Sequence, residues 1–309
     1  MKKTIFIAFF SIICFCSTYG NPYPISPCPL RKLVQESNAI IIGDVINVSE
    51  QIIKKKKKNI HYPSYSVARI VIRETLQGAI KKDTIEILFE PNMSCPAPPR
   101  FYEKTTVLAF LDFDKGNYRT HALSYGAKTL DTMEVRIYKT RIKEIKDILK
   151  IGNLTDKQDA TIEWLVKCAE NPITRWEGVF ELSPESDFMS FYSQDSTPQL
   201  KDYLNAEQKE RLKKALQSSI EFNYHDFGLS DLIYKDNKEE IDAILFEKLK
   251  KIDAKSYWYA SNFMTRLKHL KDCPEMENLL KRQSDIEFQY GNDSQRKKII
   301  DEFITLVEN

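Results

Sequence analysis

Apolar and polar positions alternate through the first half of the chain, and the period then changes. A-I-I-I-G-D-V-I-N-V (39–48) is an apolar run that passes into alternation. In Y-S-V-A-R-I-V-I-R-E-T-L-Q-G (65–78), Tyr65, Val67, Arg69, Val71 and Arg73 share one face, and Ala68, Ile70 and Ile72 the other. T-I-E-I-L-F-E (84–90) alternates again, and V-L-A-F-L-D-F (107–113) reads as buried on both faces. Y-R-T-H-A-L-S-Y (118–125) follows the turn D-K-G-N. Successive strand side chains point to opposite faces, so these segments predict five strands. A helix is predicted over 137–150, where Ile137, Ile142, Ile145 and Leu149 fall near helical spacing. Five strands and a helix suit a small closed β-barrel of the OB type.

Beyond residue 150 the period is helical. Residues 156–171 end at N-P, and Pro172 opens P-I-T-R-W-E-G-V-F-E-L. S-P-E (183–185) is a helix start with proline in the first turn. N-A-E-Q (205–208) reads as a capping box. Residues 238–251 carry Ile241, Ile244, Leu245 and Leu249 on one stripe, and helices are expected at 255–270, 275–289 and 294–307. Short polar turns between them suggest stacked helical hairpins. Segments 205–235 and 237–270 have similar lengths but share no consensus, so they do not establish a repeat. The fold class expected is α+β and multidomain: an OB-like barrel with a flanking helix over 21–150, then an all-α domain over 151–309.

The first 20 residues change the setting of everything after them. Lys2 and Lys3 precede an apolar stretch at 4–16, and Thr18 and Gly20 are small enough for a cleavage site. This is the pattern of a signal peptide, so the mature chain is expected to start near Asn21 and to be exported, to the periplasm or beyond. Cys14 and Cys16 leave with the leader, and neither follows the small residue that lipid attachment needs. No later stretch is long and apolar enough for a membrane span. Cys28, Cys95, Cys168 and Cys273 remain, an even number in an exported chain, which points to disulfides with three possible pairings. Cys95 sits in N-M-S-C-P-A-P-P-R-F (92–101), where three prolines exclude a helix. From these residues alone it is a nucleophile, a ligand, half of a bridge or an idle thiol. No histidine is near it and no helix start activates it, which disfavours the nucleophile.

Charge separates the halves further. Residues 21–150 hold 22 Lys and Arg against 14 Asp and Glu, a net of +8, and residues 151–309 hold 22 against 30, a net of −8. Opposed fields favour docking of the two halves, with composition drift as the plain alternative. Lys54, Lys55, Lys56, Lys57 and Lys58 form a basic run between two predicted strands. Such a run is a solvated loop or a finger for an anionic surface. Nucleic acid is disfavoured by export.

Signatures of catalysis are missing. His61, His121, His225 and His269 form no metal-binding spacing, and no phosphate loop or nucleophile elbow occurs. His121 is read as an ordinary strand histidine, and Tyr224-His225-Asp226 as a cap or a solvated pair. The aromatic stretch 256–263, with Trp164 and Trp176, is read as packing between helices. No cofactor is expected.

The order of cysteine, N-A-I-I-I-G-D-V, Y-x-V-A-R-I-V-I-R-E-T-L-Q-G, a second cysteine and V-L-A-F resembles the secreted netrin-like module, carried also by tissue inhibitors of metalloproteinases. Asn38 stands where that pattern has an acid, and Gln77 where it has a lysine. The resemblance covers about residues 28–150 and implies an OB barrel with a Cys28–Cys95 bridge. Cys168–Cys273 is the pair left over. Inhibition through a cysteine amine is not implied, because N-P-Y-P-I-S-P precedes Cys28. The expected function is non-catalytic binding of a protein or an anionic envelope surface. Barrel loops, including Arg100 and Phe101, and the helical domain would supply the contacts. The alternatives are a metalloprotease inhibitor and a hydrolase with an unrecognised site.

Overall fold

The computed structural model describes residues 26–51, 65–92, 97–114, 116–184, 200–271, 273–286 and 292–309. The expected leader, Lys54–Lys58 and Cys95 lie outside the described residues. The fold is α+β, a six-stranded sheet followed by helices. A short helix α1 (Leu30–Glu36) leads into β1 (Ala39–Gln51), β2 (Tyr65–Gln77), β3 (Thr84–Phe89), β4 (Thr106–Asp114), β5 (Asn117–Thr120) and β6 (Ala127–Thr129). β1 pairs antiparallel with both β2 and β4, β2 with β3, and β4 with β5 and β6. β3 and β5 meet in parallel at Ile87 and Tyr118.

Alternation along the strands builds two cores. Ala39, Ile41 and Val45 of β1 join Ile70, Ile85, Ile87, Val107, Ala109 and Leu111 in one cluster. The opposite residues, Ile40, Ile42, Leu108 and Phe110, enter a second cluster with Leu30, Leu33 and the helices. This is why 107–111 reads as apolar throughout: there β4 is covered on both faces, whereas Phe113, expected to be buried, is exposed beyond the core.

Nine more helices are described: α2 (Thr132–Ile148), α3 (Leu154–Glu170), α4 (Arg175–Leu182), α5 (Ala206–Gln217), α6 (Tyr224–Ile233), α7 (Lys238–Lys250), α8 (Ala260–Leu267), α9 (Pro274–Ile286) and α10 (Asp293–Glu308). Asp131 and Glu134 close a capping box on α2, and Asn205 and Gln208 do so on α5 where N-A-E-Q places it. The segment expected as one helix at 255–270 is a 3₁₀ turn, α8 and a second 3₁₀ turn. Residues 185–199, after the S-P-E start, lie outside the described residues. Among the described residues no helix is long and apolar enough to cross a membrane.

One buried cluster runs across the expected boundary near residue 150. Tyr138, Ile142 and Ile145 of α2 share one buried cluster with Trp164 and Leu165 of α3 and with Phe303 of α10. Acids of the second half pair with bases of the first. Glu177 lies 2.8 Å from Lys128 Nζ, and Glu181 accepts from Arg31 Nε at 2.6 Å. Burial pushes the Glu181 carboxyl above its ordinary range, against the pull of Arg31. A raised acid binds its proton more tightly folded than unfolded. Its contribution is therefore complete below about pH 4.3, the unfolded value, and is lost as pH rises through the folded value. Glu181→Gln is expected to flatten that loss while changing stability near pH 4 little. Urea melts from pH 4 to pH 8 read it, and a variant with the wild-type pH slope contradicts it.

Candidate functional site

Cys28, Glu36 and His121 come together where α1 meets the end of β5. Pro29 caps the start of α1 in extended backbone, which leaves Cys28 just ahead of the helix and 3% exposed. Glu36 is the last residue of the same helix. A carboxylate there faces the negative end of the helix dipole, an unfavourable place. Gln77, where the netrin-like pattern has lysine, donates through Nε2 to Val34 O and Ser37 O, both at 3.1 Å, and so fastens the end of α1. Asn38 accepts from Phe113 N at 3.3 Å. Both departures from the pattern have a local hydrogen-bonding role.

His121 is not in mid-strand. The segment expected as a strand over 118–125 ends at Thr120, because Ala122 and Leu123 take left-handed backbone with φ of 51° and 52°. Neither residue is glycine, so both are strained. His121 N still donates to Phe110 O at 2.8 Å. A Cβ on Gly126 would stand 2.0 Å from His121 O, so the turn closes only with glycine at 126. Gly126→Ala is expected to cost about 1–3 kcal/mol and to shift the His121 ring resonances. A urea melt and a histidine-selective NMR spectrum check it, and an unshifted His121 signal contradicts it.

The His121 ring bridges two acids. Nδ1 lies 2.8 Å from Asp112 Oδ2, and Nε2 lies 3.0 Å from Glu36 Oε2. The ligand-type atoms of Cys28, Glu36 and His121 lie within 4.8 Å of one another. Burial, then the Glu36 charge, pushes the Cys28 thiol up to about 12. That is the reverse of an activated nucleophile, which needs a lowered thiol. Cys28 is a free thiol here, and its expected partner Cys95 lies outside the described residues. Cys168 and Cys273, the pair left over in the sequence, are also free thiols here. Cys168 is fully buried in α3, and Cys273 is half-buried just before α9.

A second cluster lies where the loop after residue 97 runs beside β1. Lys104 N donates to Val45 O at 2.8 Å, and Val48 N donates to Glu103 Oε1 at 2.9 Å. The β1–β2 register slips between Val45 and Asn47, which places Ile46 on a bulge, 48% exposed. Tyr102 is 55% exposed, and Arg100 and Lys104 are exposed beside it in sequence. Phe101 is not a surface residue. It is buried against Phe89, ring centroids 5.1 Å apart, and belongs to the sheet core. The expected pair Arg100 and Phe101 therefore divides: the arginine faces outward and the ring is structural. The signal for Tyr102 was the alternation R-F-Y itself, a buried ring between two outward side chains.

The other candidates resolve into packing. Asp226 turns inward to Arg175 Nη1 and Ser219 Oγ, and accepts from Asn223 N at 2.7 Å. Asp242 holds His269 Nε2 at 2.7 Å. Phe263 and Tyr259 pack on Phe227, and Trp176 stacks between Tyr125 and Phe180. Trp164 is buried and donates to Arg141 O at 3.0 Å. No family model, curated protein or solved structure matches the chain.

Proposed function

We propose that the protein is an exported, non-catalytic binding protein that engages its partner through the loop surface of a closed OB-type barrel of the netrin-like kind. The pairings β1–β2, β2–β3, β3–β5, β5–β4 and β4–β1 lead round five strands and back to the first, which supports closure. One observation carries the binding reading: Ile46 on its bulge, Tyr102, Arg100 and Lys104 stand exposed on segments bonded to each other. Tyrosine and arginine beside an aliphatic side chain are the residues that dominate protein interfaces. The non-catalytic reading rests on the commitment of Asp226 and Asp242 to structural partners and on the raised Cys28 thiol. The partner is a protein surface. The basic run Lys54–Lys58 would add long-range attraction for an acidic one.

Affinity purification of the tagged mature chain from its own envelope and medium tests this. A variant carrying Ile46→Ser, Arg100→Ala and Tyr102→Ala is expected to lose its main partner at least tenfold. Ile220→Ser, at a residue 97% exposed in the helical half, is expected to keep it. Equal recovery by both variants would count against the barrel surface.

A further inference from the structure

We propose that Cys28 Sγ, Glu36 and His121 Nε2 form a binding site for one divalent transition-metal ion of the zinc class, with Asp112 as the positioning residue behind the imidazole. Two segments distant in sequence, the two ends of α1 and the turn after β5, deliver three ligand types to one place, with their ligand atoms within 4.8 Å of one another. Tetrahedral zinc with bonds of about 2.0–2.3 Å sets ligand–ligand distances of about 3.3–3.8 Å. Contraction of roughly 1 Å therefore closes the site. Glu36 can supply it, because its side chain is 42% exposed.

The orientation of the ring is the second observation. Asp112 holds Nδ1 at 2.8 Å and so turns Nε2 toward Glu36. A carboxylate on the far nitrogen is the usual support of a metal-bound imidazole. The local backbone is strained to hold this ring, with left-handed Ala122 and Leu123 directly after it. Glu36 sits at the wrong end of its helix for its charge. A cation between Cys28, Glu36 and His121 offsets both costs. The mixed sulfur, nitrogen and oxygen set selects zinc, or cobalt as its probe, over calcium or magnesium. The exposed side of Glu36 gives the ion a way in and leaves the fourth position to water.

On binding, the ion forms a bond to Cys28 sulfur and the thiol proton leaves to solvent. The same sulfur is the expected partner of Cys95, and the two fates exclude each other. The test uses the mature chain, reduced, stripped with a chelator and titrated with Co²⁺. One equivalent is expected to bind and to produce a thiolate-to-cobalt charge-transfer band. Cys28→Ser is expected to abolish the band, while Cys168→Ser and Cys273→Ser leave it unchanged. Glu36→Gln and His121→Ala are expected to lower affinity at least tenfold, and Asp112→Asn about tenfold with the band retained. Glu36 lies at the surface, so its variant carries the test if Cys28→Ser fails to fold. The proposal is overturned by the absence of a band in the wild type, by a band that survives Cys28→Ser, or by unchanged affinity in Glu36→Gln. Peptide mapping of the exported chain that finds Cys28 wholly bridged to Cys95 also overturns it. None of these outcomes bears on the Ile46–Tyr102 surface.

Discussion

Asp226→Ala is expected to lower the unfolding free energy by about 3–5 kcal/mol, because it strands a buried guanidinium. Arg175 is 1% exposed. Its Nε donates to Ala169 O at 3.0 Å, its Nη1 to Ser219 Oγ at 2.8 Å, and its Nη2 to Glu170 O at 3.2 Å. Asp226 is fully buried and supplies the counter-charge. It also closes the capping box of α6 by accepting from Asn223 N. Removing the acid leaves a cation that water cannot reach. Removing both charges, as in Arg175→Met with Asp226→Leu, is expected to recover much of the loss, since apolar replacements of buried pairs are often tolerated. Guanidinium melts of the two variants compare them. A single variant within 1 kcal/mol of wild type contradicts the assignment.

Glu177→Ala has the second large effect, again about 3–5 kcal/mol. The carboxylate of α4 is 1% exposed and joins three elements of the first half. Oε2 accepts from Leu30 N at 2.7 Å, an otherwise orphaned donor at the start of α1. Oε1 lies 2.8 Å from Lys128 Nζ and accepts from the Tyr138 hydroxyl at 3.3 Å. Burial, together with this carboxylate, raises the Tyr138 phenol far above its usual range. Glu177→Gln keeps the shape and loses the charge, so it is expected to cost less than the alanine variant. One cooperative transition, seen alike by far-UV and near-UV dichroism, is expected for the wild type because the halves share a core. Two separate transitions, with Glu177→Ala shifting only one, contradict that view.

The strands were legible because their chemistry is local. Alternation located β1 to β4 to within a few residues, and N-A-E-Q marked the start of α5. What escaped had no local signature. α1 has only seven residues, and β6 only three. α6 is buried along nearly its whole length, so it shows no polar stripe to betray a helical period. The sequence pattern over 118–125 runs past the end of β5 because the left-handed turn at Ala122 and Leu123 contains no glycine to mark it. The charge asymmetry of the halves had a concrete counterpart in Glu177–Lys128 and Glu181–Arg31. The grouping of Cys28 and Glu36 with Asp112 and His121 could not be read from spacing, since folding alone brings two such distant pairs to one place. The one hint was an acid at the end of a helix, which only the structure reveals as such.

The most direct test of the binding account places a photocrosslinking amino acid at Tyr102 in the protein expressed in its own cells. The expected result is one crosslinked species of defined mass, competed away by unlabelled mature protein and absent when the probe stands at Ile220. Crosslinking from position 220 with none from position 102, or none from either, contradicts it.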